Sequence, residues 1–176
     1  LLSQGLSTAL LPRLSSMSDE EARRVLTPLL TRWILALTAA AGLLLALVAP
    51  VVIRLLFGDD FASADRVIQI LVPGIAVGAA SRVIASDFSA RGRPELSMYT
   101  SWIAVIVNTA GNIVLIPILG VDGAAISTSF AYILNLALRC LMYKRLTGVR
   151  IGSCLLLSRS DIRTLWQYLA RRRSQR

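Results

Sequence analysis

WILALTAAAGLLLALVAPVVI, residues 33–53, is an uncharged run of 21 residues dominated by Ala and Leu. At 1.5 Å per residue a helix of this length reaches about 30 Å, the thickness of a bilayer's hydrocarbon core. Pro50 falls in its last turn, where a kink or an early end is tolerated. Three more stretches have the same reading. Val67 to Phe88 is apolar but interrupted by Gln69, Arg82 and Asp87. Leu96 to Leu119 is uncharged, and Gly123 to Tyr143 carries a charge only at Arg139, in its last turn. Asp122 is expected to cap the first turn of that stretch. The sequence therefore predicts an all-α integral membrane protein with four spans, at about 33–56, 67–88, 96–119 and 123–143 within a membrane unit 33–148.

The flanks are different. Leu1 to Leu11 is apolar but too short to span, and Pro12-Arg13 closes it. Residues 1–12 are expected to be the end of a helix cut by the start of the chain, whose first Met is Met17. Residues 13–32 are expected to form a cytoplasmic loop and a short surface helix reaching Pro28. Ser18 and Glu21 have the capping-box spacing that starts such a helix. Residues 149–176 form a basic tail. Within it Ile162, Leu165, Trp166 and Leu169 fall on one helical face after Ser158 to Asp161, an amphipathic pattern suited to an anionic membrane surface.

Composition agrees. Of 176 residues, 55% are hydrophobic and 16% charged, against about 45–50% and about 25% in soluble domains. The net charge of +9 in so apolar a chain points to basic residues held on one side of a membrane, and not to nucleic acid. There are no histidines, and the two cysteines are Cys140 and Cys154. That removes the commonest general base and offers no zinc spacing, so neither a metal nor a cofactor is expected. A charged start leading to a short apolar core and a cleavage site, the mark of a signal peptide, is absent.

Counting Lys and Arg before, between and after the spans gives 4, 1, 2, 0 and 9. The alternation fits four spans, and the positive-inside rule then puts the first loop, the Arg91 loop and the tail in the cytoplasm. Trp33, Tyr99, Trp102 and Tyr143 fall at the span ends on that side, where aromatic rings favour the headgroup level.

Ionisable residues within spans mark function by default. Arg54 and Arg139 lie close enough to span ends to snorkel. Arg82 lies deeper. Gly74, Gly78, Arg82 and Ser86 repeat every four residues and share a face, and Gly74 with Gly78 forms a small-xxx-small motif for close helix approach. Arg82 is thereby directed at protein or a cavity, where a guanidinium suits a phosphate or pyrophosphate. The competing reading is snorkelling to lipid headgroups. Asp87 precedes Arg91 by four residues, the favourable order for a local ion pair. Asn108 and Asn112, with Gly111 beside them, and Asn135 in the fourth span are read first as interhelical hydrogen-bond partners. Lining a polar sugar path is the sharper alternative. Gly58-Asp59-Asp60 reads as a tight turn. No phosphate loop, metal cluster or nucleophile constellation is present, so no catalytic residue is assigned and a non-enzyme is expected.

A series of short motifs adds to this. Leu10-Leu-Pro-Arg-Leu-Ser15, Leu55-Leu-Phe-Gly58, Phe61-Ala-Ser-Ala64, Ile70-Leu-Val-Pro-Gly74, Ala90-Arg-Gly-Arg-Pro94, Asn108 with Asn112, Leu115-Ile-Pro-Ile-Leu-Gly-Val-Asp-Gly-Ala-Ala125 and Arg145-Leu-Thr-Gly148 occur in that order. Together they resemble the C-terminal part of polysaccharide biosynthesis proteins of the O-antigen flippase type. That group belongs to the superfamily that also holds the lipid II flippases and the MATE exporters. The resemblance covers residues 1 to about 148. It implies a two-lobed transporter of 12 to 14 helices, of which this chain supplies part of the C-terminal lobe, with a missing N-terminal lobe as its partner. It implies translocation of a polyprenyl-pyrophosphate-linked oligosaccharide across the cytoplasmic membrane, with membrane lipids around it and the C-terminus in the cytoplasm. The alternatives are an ion-coupled MATE-like exporter, for which Asp87 is the only acid inside a span, and, ranked third, a membrane-embedded glycan-processing enzyme. A small membrane adaptor, complete as it stands, ranks last.

Overall fold

The computed structural model describes residues 20–58, 63–149 and 152. The expected truncated helix at 1–12, Ser18 of the capping box, Asp59 and Asp60, and the amphipathic tail lie outside these residues. Four helices follow one another: α1 (Glu20–Phe57), α2 (Ser63–Ala90), α3 (Pro94–Leu119) and α4 (Val121–Thr147). Each is long and apolar enough to cross a membrane. The described residues form an all-helical unit, and the chain is a multi-pass membrane protein.

The helices do not pack in chain order. α2 packs against α1 on one side and α4 on the other, and α3 packs on the far side of α4, touching α2 only lightly. Thr27 on α1 meets Asp87 on α2, and Thr38 meets Ala76, so α1 and α2 are antiparallel. Ser129 on α4 donates to the Ile70 carbonyl at 2.7 Å, and Arg139 reaches Ser81, so α2 and α4 run parallel. Arg139 also reaches Ser97 while Ser127 reaches Asn108, so α3 and α4 are antiparallel. The outward faces of α1 and α3 carry exposed Leu, Ile, Val and Trp, among them Leu37, Leu44, Trp102 and Ile106. Apolar residues on such faces are in place for lipid contact.

Small residues set how closely the inner helices meet. A Cβ on Gly74 would lie 2.6 Å from the Ser129 Cα, a backbone atom that cannot swing aside. One on Gly78 would lie 3.2 Å from the Tyr132 ring, and one on Gly111 would collide with Ser127 Oγ. Gly74→Ala should therefore force α2 and α4 apart and cost roughly 1–3 kcal/mol, as overpacking does. Thermal unfolding of the protein in detergent measures this, and an unchanged midpoint would refute the close approach. The α3–α4 connection is a single residue, Gly120, at φ 58°, a conformation glycine adopts without strain.

Three expectations about the helices and their ends differ from the structure. The chain does not break at Pro28: Glu20–Phe57 is one helix of 38 residues holding both Pro28 and Pro50. Proline removes one backbone donor, but Thr27, Pro28, Leu29 and Thr31 are buried, and packed neighbours sustain a proline-bearing membrane helix. Asp122 does not cap α4, since Gly120 holds the N-cap position with no side-chain bond. The Asp122 carboxylate instead pairs with Arg66 at 3.3 Å, joining the starts of α2 and α4. Tyr143 is not an interfacial ring. It is fully buried among Ile84, Phe88, Leu136 and Cys140, whereas Trp33, Tyr99 and Trp102 are exposed.

Candidate functional site

The helix pairing collects charge at one end. The start of α1, the end of α2, the start of α3 and the end of α4 come together, bringing Arg23, Arg24, Arg32, Arg82, Arg91, Arg93, Arg139, Lys144 and Arg145 to one half of the bundle. Among the described residues, Arg54 and Arg66 are the basic side chains of the other half.

Arg82 stands on α2 where two hollows meet. One is a groove of about 460 Å³ lined mainly by apolar side chains, including Leu45 of α1 and Val72 and Ile75 of α2, with Arg82 and Tyr132. The other is a recess of about 150 Å³ between α2 and α4, lined by Gly78, Ser81, Arg82, Tyr132, Asn135 and Arg139. Asn135 Oδ1 is buried there with no partner among the described residues. Gly78, Arg82 and Tyr132 border both hollows. Gly78 leaves the room, because a side chain at that position would press on the Tyr132 ring.

Of the polar residues named from the sequence, the structure brings Arg82 and Asn135 together. Neither Asn108 nor Asn112 lines the recess. Ser127 Oγ lies 2.9 Å from the Asn108 carbonyl oxygen and 3.1 Å from its Oδ1, a tie between α3 and α4. Asn112 Oδ1 is buried without a partner among the described residues.

Arg139 overturns the expectation that it snorkels. It is 6% exposed. Its Nε donates to Thr100 Oγ1 at 3.1 Å, Nη1 to the Ser81 carbonyl and Oγ at 3.0 and 2.9 Å, and Nη2 to Ser97 Oγ and Ser101 Oγ at 3.0 and 2.9 Å. All five guanidinium protons therefore meet oxygen, and every one of those oxygens is neutral. Among the described residues no carboxylate pairs with it. The layer of Phe88 and Tyr143, with ring centroids 6.5 Å apart, lies one turn further toward the basic end. Sequence position alone missed this. The available signal was the hydroxyl set Ser97, Thr100 and Ser101, spaced i, i+3, i+4 on a helix otherwise apolar at that level.

Asp87 forms its ion pair with Arg91, Nε to Oδ2 at 2.5 Å. Its other oxygen accepts from Thr27 Oγ1 at 3.0 Å, so the acid also links α2 to α1. Both oxygens are thereby engaged, which leaves little for an ion-coupled exporter to use. Among the described residues no cluster of His, Cys, Asp or Glu could hold a metal.

The model of the lipid II flippase MurJ family matches residues 1–166. The chain is similar to the "Uncharacterized membrane protein MJ1068" of Methanocaldococcus jannaschii, at 34% identity over 98 residues, 56% of this chain and 19% of that protein. It is also similar to the "Probable low-salt glycan biosynthesis flippase Agl15" of Haloferax volcanii, at 24% identity over 143 residues, 78% of this chain and 30% of that protein. The chain thus spans less than a third of the length of either relative. No solved structure matches it.

Proposed function

Because the chain belongs to the lipid II flippase MurJ family, a family of transporters rather than enzymes, we propose that it forms part of a translocase carrying a polyprenyl-pyrophosphate-linked oligosaccharide across the cytoplasmic membrane. The observation that carries this reading is the position of Arg82, at the junction of an apolar groove and a polar recess. An amphiphile with an anionic joint between a lipid tail and a sugar head needs that sequence of surfaces. The tail lies along Leu45, Val72 and Ile75, the phosphates meet the Arg82 fork, and sugar hydroxyls donate to Asn135 Oδ1. Guanidinium grips such phosphates bidentately. Most of the path belongs to the second lobe that the longer relatives' lengths leave room for. Nine basic residues in one half of the described bundle against two in the other support a cytoplasmic location for the end of that half, and with it the C-terminus.

The test is Arg82→Ala in the full-length protein, read as export of the lipid-linked glycan alongside membrane abundance. Export is expected to fall about tenfold or more with abundance unchanged, and Arg82→Lys to recover only part of it, since lysine lacks the planar fork. Full export with alanine would leave Arg82 a snorkelling residue.

A further inference from the structure

At the basic end of the bundle, arginines from separate elements line a pocket that shares no residue with the hollows beside Arg82. Arg23 near the start of α1 and Arg91 and Arg93 in the α2–α3 turn line it together with Ala90 and Leu146, as an open depression of about 400 Å³. Arg23 Nη1 donates to the Ala90 carbonyl at 3.0 Å, which fixes the side chain across the α1–α2 contact. Its Nε is buried and has no partner among the described residues. Arg91 is held by Asp87 and lies 5.9 Å from the Tyr143 ring centroid. Arg93 is exposed. Asp87, which holds Arg91, has both oxygens already engaged, by Thr27 and by Arg91. Among the described residues the lining holds three guanidiniums and no carboxylate, which makes the pocket cationic, and Leu146 gives it an apolar wall.

We propose that this pocket binds the phosphate of an anionic membrane lipid headgroup. Guanidinium forks match tetrahedral phosphate oxygens in geometry as well as charge. The pocket lies where α1 begins and α2 and α4 end, at the limits of the helices long enough to cross a membrane, and basic residues at such ends meet anionic headgroups. A phosphate bridging Arg23 to Arg93 ties α1 to the α2–α3 turn, so occupancy stabilises the bundle by mass action. The proposal does not depend on Arg82 or on what is transported.

The experiment is thermal unfolding of the full-length protein in neutral detergent, titrated separately with dihexanoyl phosphatidic acid, inorganic phosphate and dihexanoyl phosphatidylcholine. Phosphatidic acid should raise Tm saturably, and the zwitterionic lipid should not. Arg93→Gln, whose exposed side chain is not needed for packing, and Arg23→Gln should each weaken half-saturation about tenfold, the scale of a lost charge-assisted contact. A matching rise with inorganic phosphate would overturn the lipid assignment and make the site one for free phosphate. No rise with any ligand, or a rise unchanged in Arg93→Gln, would overturn the site itself.

Discussion

Arg139→Ala is expected to destabilise the protein by about 3–5 kcal/mol, the cost of emptying a large buried site combined with lost charge-assisted hydrogen bonds. The guanidinium is the common partner of Ser81 on α2, Ser97, Thr100 and Ser101 on α3, and its own helix α4. Removing it opens a void where three helices meet and strands their hydroxyls. Arg139→Met refills most of the volume without donors, and should recover part of the loss. Ser and Thr hydroxyls can turn back to carbonyls of their own helix, as Thr100 Oγ1 already does to the Ser97 carbonyl at 3.0 Å. Arg139→Lys brings three donors to five acceptors and should fall between the two. Unfolding midpoints of the three variants in one detergent give the ranking. Parental stability in the alanine variant would show that the cage contributes nothing to the fold.

Asp87→Ala is expected to cost a similar amount, about 3–5 kcal/mol, for a different reason. Here the penalty comes from what is left behind. Asp87 is 0% exposed and the Arg91 side chain 9%, so deletion of the acid leaves a cation near the helix ends without its carboxylate. It also releases Thr27, and with it the contact between the ends of α1 and α2. Thr27→Val, which keeps the shape and loses one hydrogen bond to a charged group, should cost only about 1.5–3 kcal/mol. Replacing Asp87 and Arg91 together by leucine should harm stability less than Asp87→Ala alone, because no unpaired charge remains. If the single and double variants unfold at the same midpoint, the pair is not coupled.

What could be read from the sequence was whatever depends on neighbours along the chain. The uncharged runs at 33–53 and 96–119 announce spans because length and apolarity are local properties. The Asp87–Arg91 pair follows from spacing on one helix turn. Arg139 could not be placed that way. Its partners are 38 to 58 residues distant, and position near a span end made solvent the obvious destination. The same holds for Tyr143, whose ring looks interfacial by position yet sits under Arg91 against Phe88. Pro28 misled in the opposite direction, since a proline reads as a boundary until the packing that supports it is known. Arg82 falls between these cases. Its face was legible from the four-residue repeat, but the groove beside it is made with Leu45 from α1 and Tyr132 from α4.

The mismatch between chain order and packing order has a bearing on biogenesis. α1 and α2 can close as a hairpin as soon as both have left the ribosome. α3 emerges next, but its main neighbour, α4, has not yet been made. Until then Ser97, Thr100 and Ser101 lack their guanidinium, and Gly111 has no Ser127 to meet. α3 is inserted first and docked later, and α4 completes the unit by entering between two helices already in the membrane. A nascent chain halted after residue 119 would hold a paired α1–α2 and an α3 still lacking its main neighbour among the described helices, with the hydroxyls of Ser97, Thr100 and Ser101 not yet matched to their guanidinium.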